Sequence, residues 1–316
     1  MHIPDGFIDT KTAITTATFS FVGLGYALKQ VRQNFPQHRI PLIALTAAFV
    51  FAAQMLNFPV AGGTSGHLIG AVLASILLGP SAAIIVMATV LILQCFLFAD
   101  GGLTALGANI FVLGIVATTA GYAIYQLILK FFKTSQRTQF FATACAAWCS
   151  TVIASVVCAG ILSFSNTIRF DLALPAMTGV HMLIGIGEAL ITTLVLAALL
   201  KLRPELLSLT ANLGKTSYKT ISLYGLITSL GIALFVAPFA SPWPDGLEKV
   251  ATLLGFEHYA VETQLSTAVL PDYVFPGVSS SIVATALAGI VGTFVIFGLA
   301  YVLARILTPK KAPLSL

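Results

Sequence analysis

Residues 60–99 read VAGGTSGHLIGAVLASILLGPSAAIIVMATVLILQCFLFA, an unbroken stretch without Asp, Glu, Lys or Arg. A helix crossing a hydrocarbon core of about 30 Å needs roughly 20 apolar residues, so this stretch is long enough for two crossings. Gly79-Pro80 lies at its middle, and proline disfavours helix at the residue before it. The stretch therefore reads as two membrane helices, 60–79 and 81–99. The rest of the chain has the same character: 58% hydrophobic, 9% charged, mean hydropathy +0.97. Soluble domains carry about 25% charged residues, and this chain has too few polar groups to coat a water-facing surface. The reading is an all-α, polytopic membrane protein, because the apolar runs are too long for barrel strands.

Working outward, nine runs can span: 10–31, 39–57, 60–79, 81–99, 103–130, 139–164, 175–200, 220–239 and 280–307. Placing the N-terminus outside puts 13 of the 16 Lys and Arg on the inner side and leaves Lys11, Arg169 and Lys249 outside. Inner loops of membrane proteins carry such an excess of basic residues, so the N-terminus is expected outside and the C-terminus inside. The net charge of +5 follows from this topology and gives no reason to expect nucleic acid. The leader lacks a basic start, and its charges, Lys29 and Arg32, follow the apolar stretch, which is the pattern of an uncleaved helix. Met1 is expected to survive, since removal of the initiator generally needs a small second residue and His2 is large. Cys95, Cys145, Cys149 and Cys158 all lie within expected membrane helices, without the Cys-x-x-Cys spacing of a zinc or redox site, and read as packing residues.

The expected organisation is a seven-helix part, 1–204, an inner linker, 205–219, and a two-helix part, 220–316, around an outer loop, 240–279. That loop holds Asp245, Glu248, Glu257, Glu262 and Asp272 against one Lys249. An acidic outer loop could attract divalent cations; exclusion of basic residues from an exported segment is the favoured reading, and no residue of the loop stands out as a ligand. The inner stretch LGKT, 213–216, imitates the end of a phosphate-binding loop, but Leu209 stands where its first glycine belongs. The chain is not expected to bind ATP itself.

The chemistry concentrates at the start, MHIPDGFID (1–9). An α-amine, the backbone nitrogen of residue 2 and the His2 imidazole can chelate one metal ion in fused rings. Three nitrogens leave one corner of a square plane open, a geometry suited to Ni(II) or Cu(II) rather than tetrahedral Zn(II). His67 is the candidate for the open corner, in an expected helix where Gly62, Gly66 and Gly70, four apart, allow close approach of a neighbouring backbone. A hydrogen-bonded packing histidine is the competing reading. Asp5, Asn57, Asp100, Asn109, His181 and Glu188 are candidates for orienting or gating roles around the metal residues Met1, His2 and His67. For Glu188, pairing within the bundle is slightly favoured over gating.

Four stretches, MHIPDGFID, NFPVAGGTSGHLIGAVLASILLGP (57–80), FADGGLTALGANIF (98–111) and HMLIGIGEALIT (181–192), resemble the CbiM/NikM family over residues 1 to about 204. Residues ASPWPDGLEKVATLLGF (240–256) and LPDYVFPGVSS (270–280) resemble the PDGLE, or N-type, domain. The resemblance implies the substrate-specific membrane component of an energy-coupling factor transporter for nickel or cobalt, with Met1, His2 and His67 as ligands. It implies a transmembrane coupling subunit and two ATPase subunits as partners, a place in the cell membrane, Ni(II) or Co(II) as the transported substrate and no tightly bound organic cofactor. The alternatives are an ion-gradient-driven divalent cation transporter using Glu188 and, from another class, a membrane copper enzyme. A copper enzyme of that type requires a histidine at position 1 after cleavage.

Overall fold

The computed structural model describes residues 1–133, 135–203, 215–261 and 268–308. Helices α1 (Thr10–Asn34) and α2 (Ile40–Gln54) lead into a two-stranded hairpin, β1 (Phe58–Val60) and β2 (Thr64–Gly66). After it come α3 (Ala71–Leu78), α4 (Pro80–Phe98), α5 (Leu106–Phe131), α6 (Gln136–Phe164) and α7 (Phe170–Leu202). The second part holds α8 (Lys215–Phe235), α9 (Gly246–Leu254) and α10 (Ser281–Leu307). Apart from the hairpin, the described residues are helices and connections, an all-α multi-pass membrane fold. Six segments among them are long and apolar enough to cross a membrane: α4, α5, α6, α7, Thr220–Phe239 and α10.

Local chemistry sets the ends of these helices. Asp9 caps α1 by accepting from the Thr12 N–H at 2.9 Å, and Ser135 caps α6 by accepting from the Thr138 N–H at 3.1 Å; each satisfies a donor that the first helical turn leaves unpaired. Glycines let the helices approach closely. Gly107 of α5 lies against the backbone of Ala17 in α1, where the Ser20 hydroxyl donates to the Gly107 carbonyl at 2.7 Å. Gly292 of α10 faces the rings of Phe51 and Phe98, joining the second part to α2 and α4.

The expected third span does not form. Residues 60–79 instead complete the hairpin, run on without regular structure, and end in α3, whose eight residues cover only about 12 Å at 1.5 Å per residue. Gly62, Gly63 and Gly70 adopt φ of +86°, +70° and +76°, a left-handed conformation that interrupts a helix, so Gly62, Gly66 and Gly70 make no helical stripe. Hydropathy reported that this stretch is buried and was silent on its backbone. The break at Gly79-Pro80 is present, with Gly79 at φ +82° and Pro80 opening α4. Of the expected linker 205–219, residues 205–214 lie outside the described residues, and 215–219 already belong to α8. The phosphate-loop imitation falls largely in the same undescribed stretch.

The ends of the bundle separate by chemistry. Lys29 and Arg32 stand near Leu307, and the Gln37 side chain donates to the Thr308 carbonyl at 2.6 Å. At the opposite end meet the chain start, the β-hairpin, the turn after α4, the α6–α7 turn and the loop containing α9.

Candidate metal centre

The first residues form a buried plug at that second end. Asn109 of α5 holds the backbone of Ile3 from both sides: its Oδ1 accepts the Ile3 N–H at 2.7 Å, and its Nδ2 donates to the Ile3 carbonyl at 3.0 Å. The Gly102 N–H donates to the same carbonyl at 2.9 Å. Asp5 accepts from the Leu103 and Thr104 N–H groups and the Thr104 hydroxyl, fixing the plug to the turn after α4. Gly102 lies directly under this segment; a Cβ there would stand 2.6 Å from Asp5 Oδ1 and from the Pro4 carbonyl carbon.

So held, Met1 is 4% exposed and its amine lies 2.7 Å from His67 Nε2. His67 sits in the extended link between β2 and α3, not in a helix as expected. Its Nδ1 lies 3.2 Å from the Leu68 carbonyl; with the proton there, Nε2 is left with a lone pair facing the amine. Burial first, and the adjacent ammonium second, push the His67 pKa down to about 3, against the opposing pull of Asp245 and Asp100. The His2 ring lies flat beside that of His67, with centroids 5.0 Å apart and planes 6° apart. Its Nδ1 pairs with Asp100 Oδ1 at 2.8 Å, while its Nε2 is buried without a hydrogen-bond partner among the described residues. The structure thus brings the amine, His2 and His67 together.

A small cavity of about 10 Å³ adjoins the amine, lined by Met1, His67, Ile69, Thr151, His181 and Asp245. His181 Nδ1 lies 2.8 Å from the Met177 carbonyl, and its Nε2 is buried with no hydrogen-bond partner among the described residues. Glu188 has a different place: its two oxygens accept the Ile69 and Gly70 N–H groups at 2.6 and 2.9 Å. It supplies the N-terminal cap that Gly70 lacks and so fixes the segment that follows His67. Asn57 is not brought to the amine; its carbonyl accepts the Ser241 N–H at 2.7 Å.

The loop 240–279 contributes what the sequence reading passed over. Asp245 Oδ2 lies 2.7 Å from the Met1 amine, while its Oδ1 accepts the Leu247 and Glu248 N–H groups at 2.8 and 2.9 Å and caps α9. Glu248 completes the capping box by accepting the Asp245 N–H at 2.9 Å. Burial pushes the Asp245 carboxyl up, but the amine and His67 outweigh it and hold it well below the usual carboxylate range; His2 does the same for Asp100. The Asp-x-x-Glu spacing was a legible helix-start signal, though nothing in it indicated the amine as a second partner. Tyr273, whose hydroxyl donates to Asp100 Oδ2 at 2.6 Å, gave no signal at all.

Comparison with known proteins agrees with this picture. Residues 2–206 match the family described as the cobalt uptake substrate-specific transmembrane region, CbiM, and residues 219–309 match the PDGLE domain. The chain is 36% identical over 308 residues to a protein of Archaeoglobus fulgidus assigned as a fused nickel transport protein, NikMN, covering 96% of this chain and 98% of that one. It is 31% identical over 222 residues to the fused nickel transport protein NikMN of Rhodobacter capsulatus, covering 66% of this chain and 64% of the relative. A crystal structure of a truncated transition metal transporter superposes with a TM-score of 0.58 at 34% identity, over 64% of this chain and 99% of that one. A plug of N-terminal residues seated on a histidine loop in an all-α membrane bundle, and these matches, lead to one assignment: the chain belongs to the CbiM family of substrate-specific transmembrane regions for cobalt uptake and carries a PDGLE domain after it.

Proposed function

We infer that this protein captures nickel or cobalt ions for uptake, as the substrate-specific membrane component of its transporter. The observation that carries the reading is the seating of the Met1 amine 2.7 Å from His67 Nε2 with the His2 ring stacked alongside. Three residues with nitrogen donors from two distant parts of the chain meet in one buried site. Met1, His2 and His67 are the ligands in this reading, and planar nitrogen coordination favours nickel, in keeping with the nickel proteins among the relatives.

Capture then has defined requirements. The amine must give up a proton and turn its lone pair toward the incoming cation while an N–H stays on Asp245. His2 must turn its ring, because a chelate through the His2 backbone nitrogen closes through Nδ1; Asp100 then accepts from the other ring nitrogen, Nε2. His67 is already neutral and needs no proton removed. Asn109 and Asp5 keep the plug in register while these groups rearrange. The basic end of the bundle is the inner side, and there the protein meets a transmembrane coupling subunit served by two ATPase subunits. An ion-gradient carrier built on Glu188 fits less well, since both carboxyl oxygens are already engaged by backbone N–H groups.

The test is isothermal titration of NiCl₂ into the full-length protein in detergent, against His67→Ala. The expected result is tight binding to the parent and at least a hundredfold weaker binding to the variant, with unchanged helical content. Equal affinities would refute the ligand assignment. Nickel flux into vesicles lacking nucleotide would refute the ATP-driven scheme separately.

A further inference from the structure

The loop that joins the two membrane helices of the second domain reaches the N-terminal dipeptide twice. The first contact is Asp245 to the amine. This side chain is anchored before it meets Met1: its Oδ1 is occupied by the capping box, and the residue before it is docked on the hairpin. The Pro244 carbonyl accepts from the Ser65 N–H at 2.8 Å and the Thr64 hydroxyl at 3.1 Å, and the Ser65 hydroxyl donates to the Trp243 carbonyl at 2.7 Å. Below it, Gly246 lies so close to His181 and Ile184 that a Cβ would stand 2.8 Å from His181 Nε2, and Leu247 and Val250 are fully buried. Only Oδ2 is left, and it faces the amine at 2.7 Å.

The second contact runs through Asp100. Its Oδ1 holds His2 Nδ1 at 2.8 Å, and its Oδ2 accepts from the Tyr273 hydroxyl at 2.6 Å. Tyr273 is itself fixed: the Gln94 side chain donates to its hydroxyl at 3.1 Å, and its ring stacks on Phe98 with centroids 4.5 Å apart. Asp272 and Tyr273 hold φ of +52° and +59°, a sparsely populated conformation for residues other than glycine that persists where surrounding packing imposes it.

We propose that Asp245 and Tyr273 are positioning residues through which the PDGLE domain completes the metal site, Asp245 aiming the amine and Tyr273 aiming the His2 imidazole by way of Asp100. The proposal rests on the ligand reading given above and adds a task for the second domain. The ligands of the site are nitrogens in an apolar setting, and the two carboxylates offset the charge of a divalent ion from its two flexible sides. Asp245 can keep accepting from the amine after coordination, since a metal-bound NH₂ retains two N–H donors. Partners of this kind, one bond removed from the metal, commonly change metal affinity 10–100-fold.

Asp245→Asn separates the two tasks of Asp245. Asparagine caps a helix as well as aspartate, so α9 keeps its start, while an NH₂ replaces the oxygen that accepts from the amine. Two measurements on the full-length protein in detergent decide the matter: titration with NiCl₂, and the rate at which an N-hydroxysuccinimide ester acylates the Met1 amine in metal-free protein, read by mass spectrometry of the N-terminal peptide. Asp245→Asn is expected to acylate at least tenfold faster and to bind nickel 10–100-fold more weakly, with unchanged helical content. Tyr273→Phe is expected to bind nickel about tenfold more weakly with an unchanged acylation rate, a pattern that general loosening would not give. Parent-like values in both measurements for Asp245→Asn overturn the amine arm, and parent-like affinity in Tyr273→Phe overturns the imidazole arm. If His67→Ala abolishes binding while both variants match the parent, the ligand reading stands and this proposal fails. If His67→Ala binds as the parent does, the ligand reading fails first.

Discussion

Insertion of one alanine between Met1 and His2 keeps every donor group and changes only their register. It adds one Cα–Cα step of about 3.8 Å to a dipeptide held at both ends. The amine is fixed by two contacts of 2.7 Å, and the imidazole by one of 2.8 Å to Asp100 and by its stack on His67. The adjoining cavity of about 10 Å³ takes about one water molecule and cannot absorb a residue. One arm must therefore leave its seat. A hydrogen bond to a charged group is worth about 1.5–3 kcal/mol, so the abandoned arm loses roughly 10–150-fold in occupancy. Histidine in the third position also supplies a fourth nitrogen from the terminus itself, so the metal no longer needs His67. The variant should bind nickel in titration with an affinity that His67→Ala leaves unchanged, while uptake by cells carrying the whole transporter falls at least tenfold. Parent-level uptake, or binding that still depends on His67, would refute the seating argument.

Three further outcomes follow from the same geometry. Gly102→Ala places a methyl group 2.3 Å from the Asp5 backbone nitrogen and 2.6 Å from Asp5 Oδ1, so the plug must shift by roughly 1.1 Å to regain an ordinary contact, at a cost of about 1–3 kcal/mol; nickel affinity should fall at least tenfold in titration while circular dichroism stays unchanged. Glu188→Ala leaves the Ile69 and Gly70 N–H groups buried without their acceptor, and by the loss of two hydrogen bonds to a charged group should destabilise the fold by about 3–6 kcal/mol; a thermal midpoint within a degree of the parent would contradict the capping role. Because the His67 pKa is pushed down to about 3, that ring is neutral throughout the range above about pH 4 and releases no proton on binding. The amine releases one and the His2 amide a second if it coordinates, so affinity should fall about tenfold per proton for each unit of decreasing pH. Calorimetry in buffers of differing ionisation enthalpy counts these protons, and a count of zero would rule out the amine as a ligand.

Much of this architecture could be read from the chain because membrane helices announce themselves by length and apolarity. The crossings at α4, α6, α7 and α10 follow directly from long apolar runs with at most one charged residue each, and the sorting of Lys and Arg predicts which loops share an end. The stretch 60–79 defeated the same reasoning: hydropathy registers burial, and this segment is buried as a hairpin and a half-length helix. The positive-φ glycines at 62, 63 and 70 held the information, but the four-residue spacing of Gly62, Gly66 and Gly70 imitates a helical stripe. Met1, His2 and His67 could be singled out as ligand candidates because chelation by a chain start is local chemistry, and the structure seats the three side by side. Asp245 and Tyr273 could not be, since contacts across more than 170 residues leave no trace in spacing. Glu188, slightly favoured as a structural residue paired with His181 or a hydroxyl, instead accepts from two backbone N–H groups at the start of α3, partners that its surroundings in α7 could not name.

The plug has a consequence for how the protein is made. Met1 is polymerised long before its ion-pair partner, residue 245, and before residue 273, whose hydroxyl steadies the Asp100 carboxylate that holds His2. At translation rates of about 5–20 residues per second, the chain start waits roughly 15 to 60 s before its seat exists. Throughout that interval its amine is open to every trimming and capping enzyme it meets. The bulk of His2, which discourages removal of the methionine before it, thus protects the site before there is a site to protect.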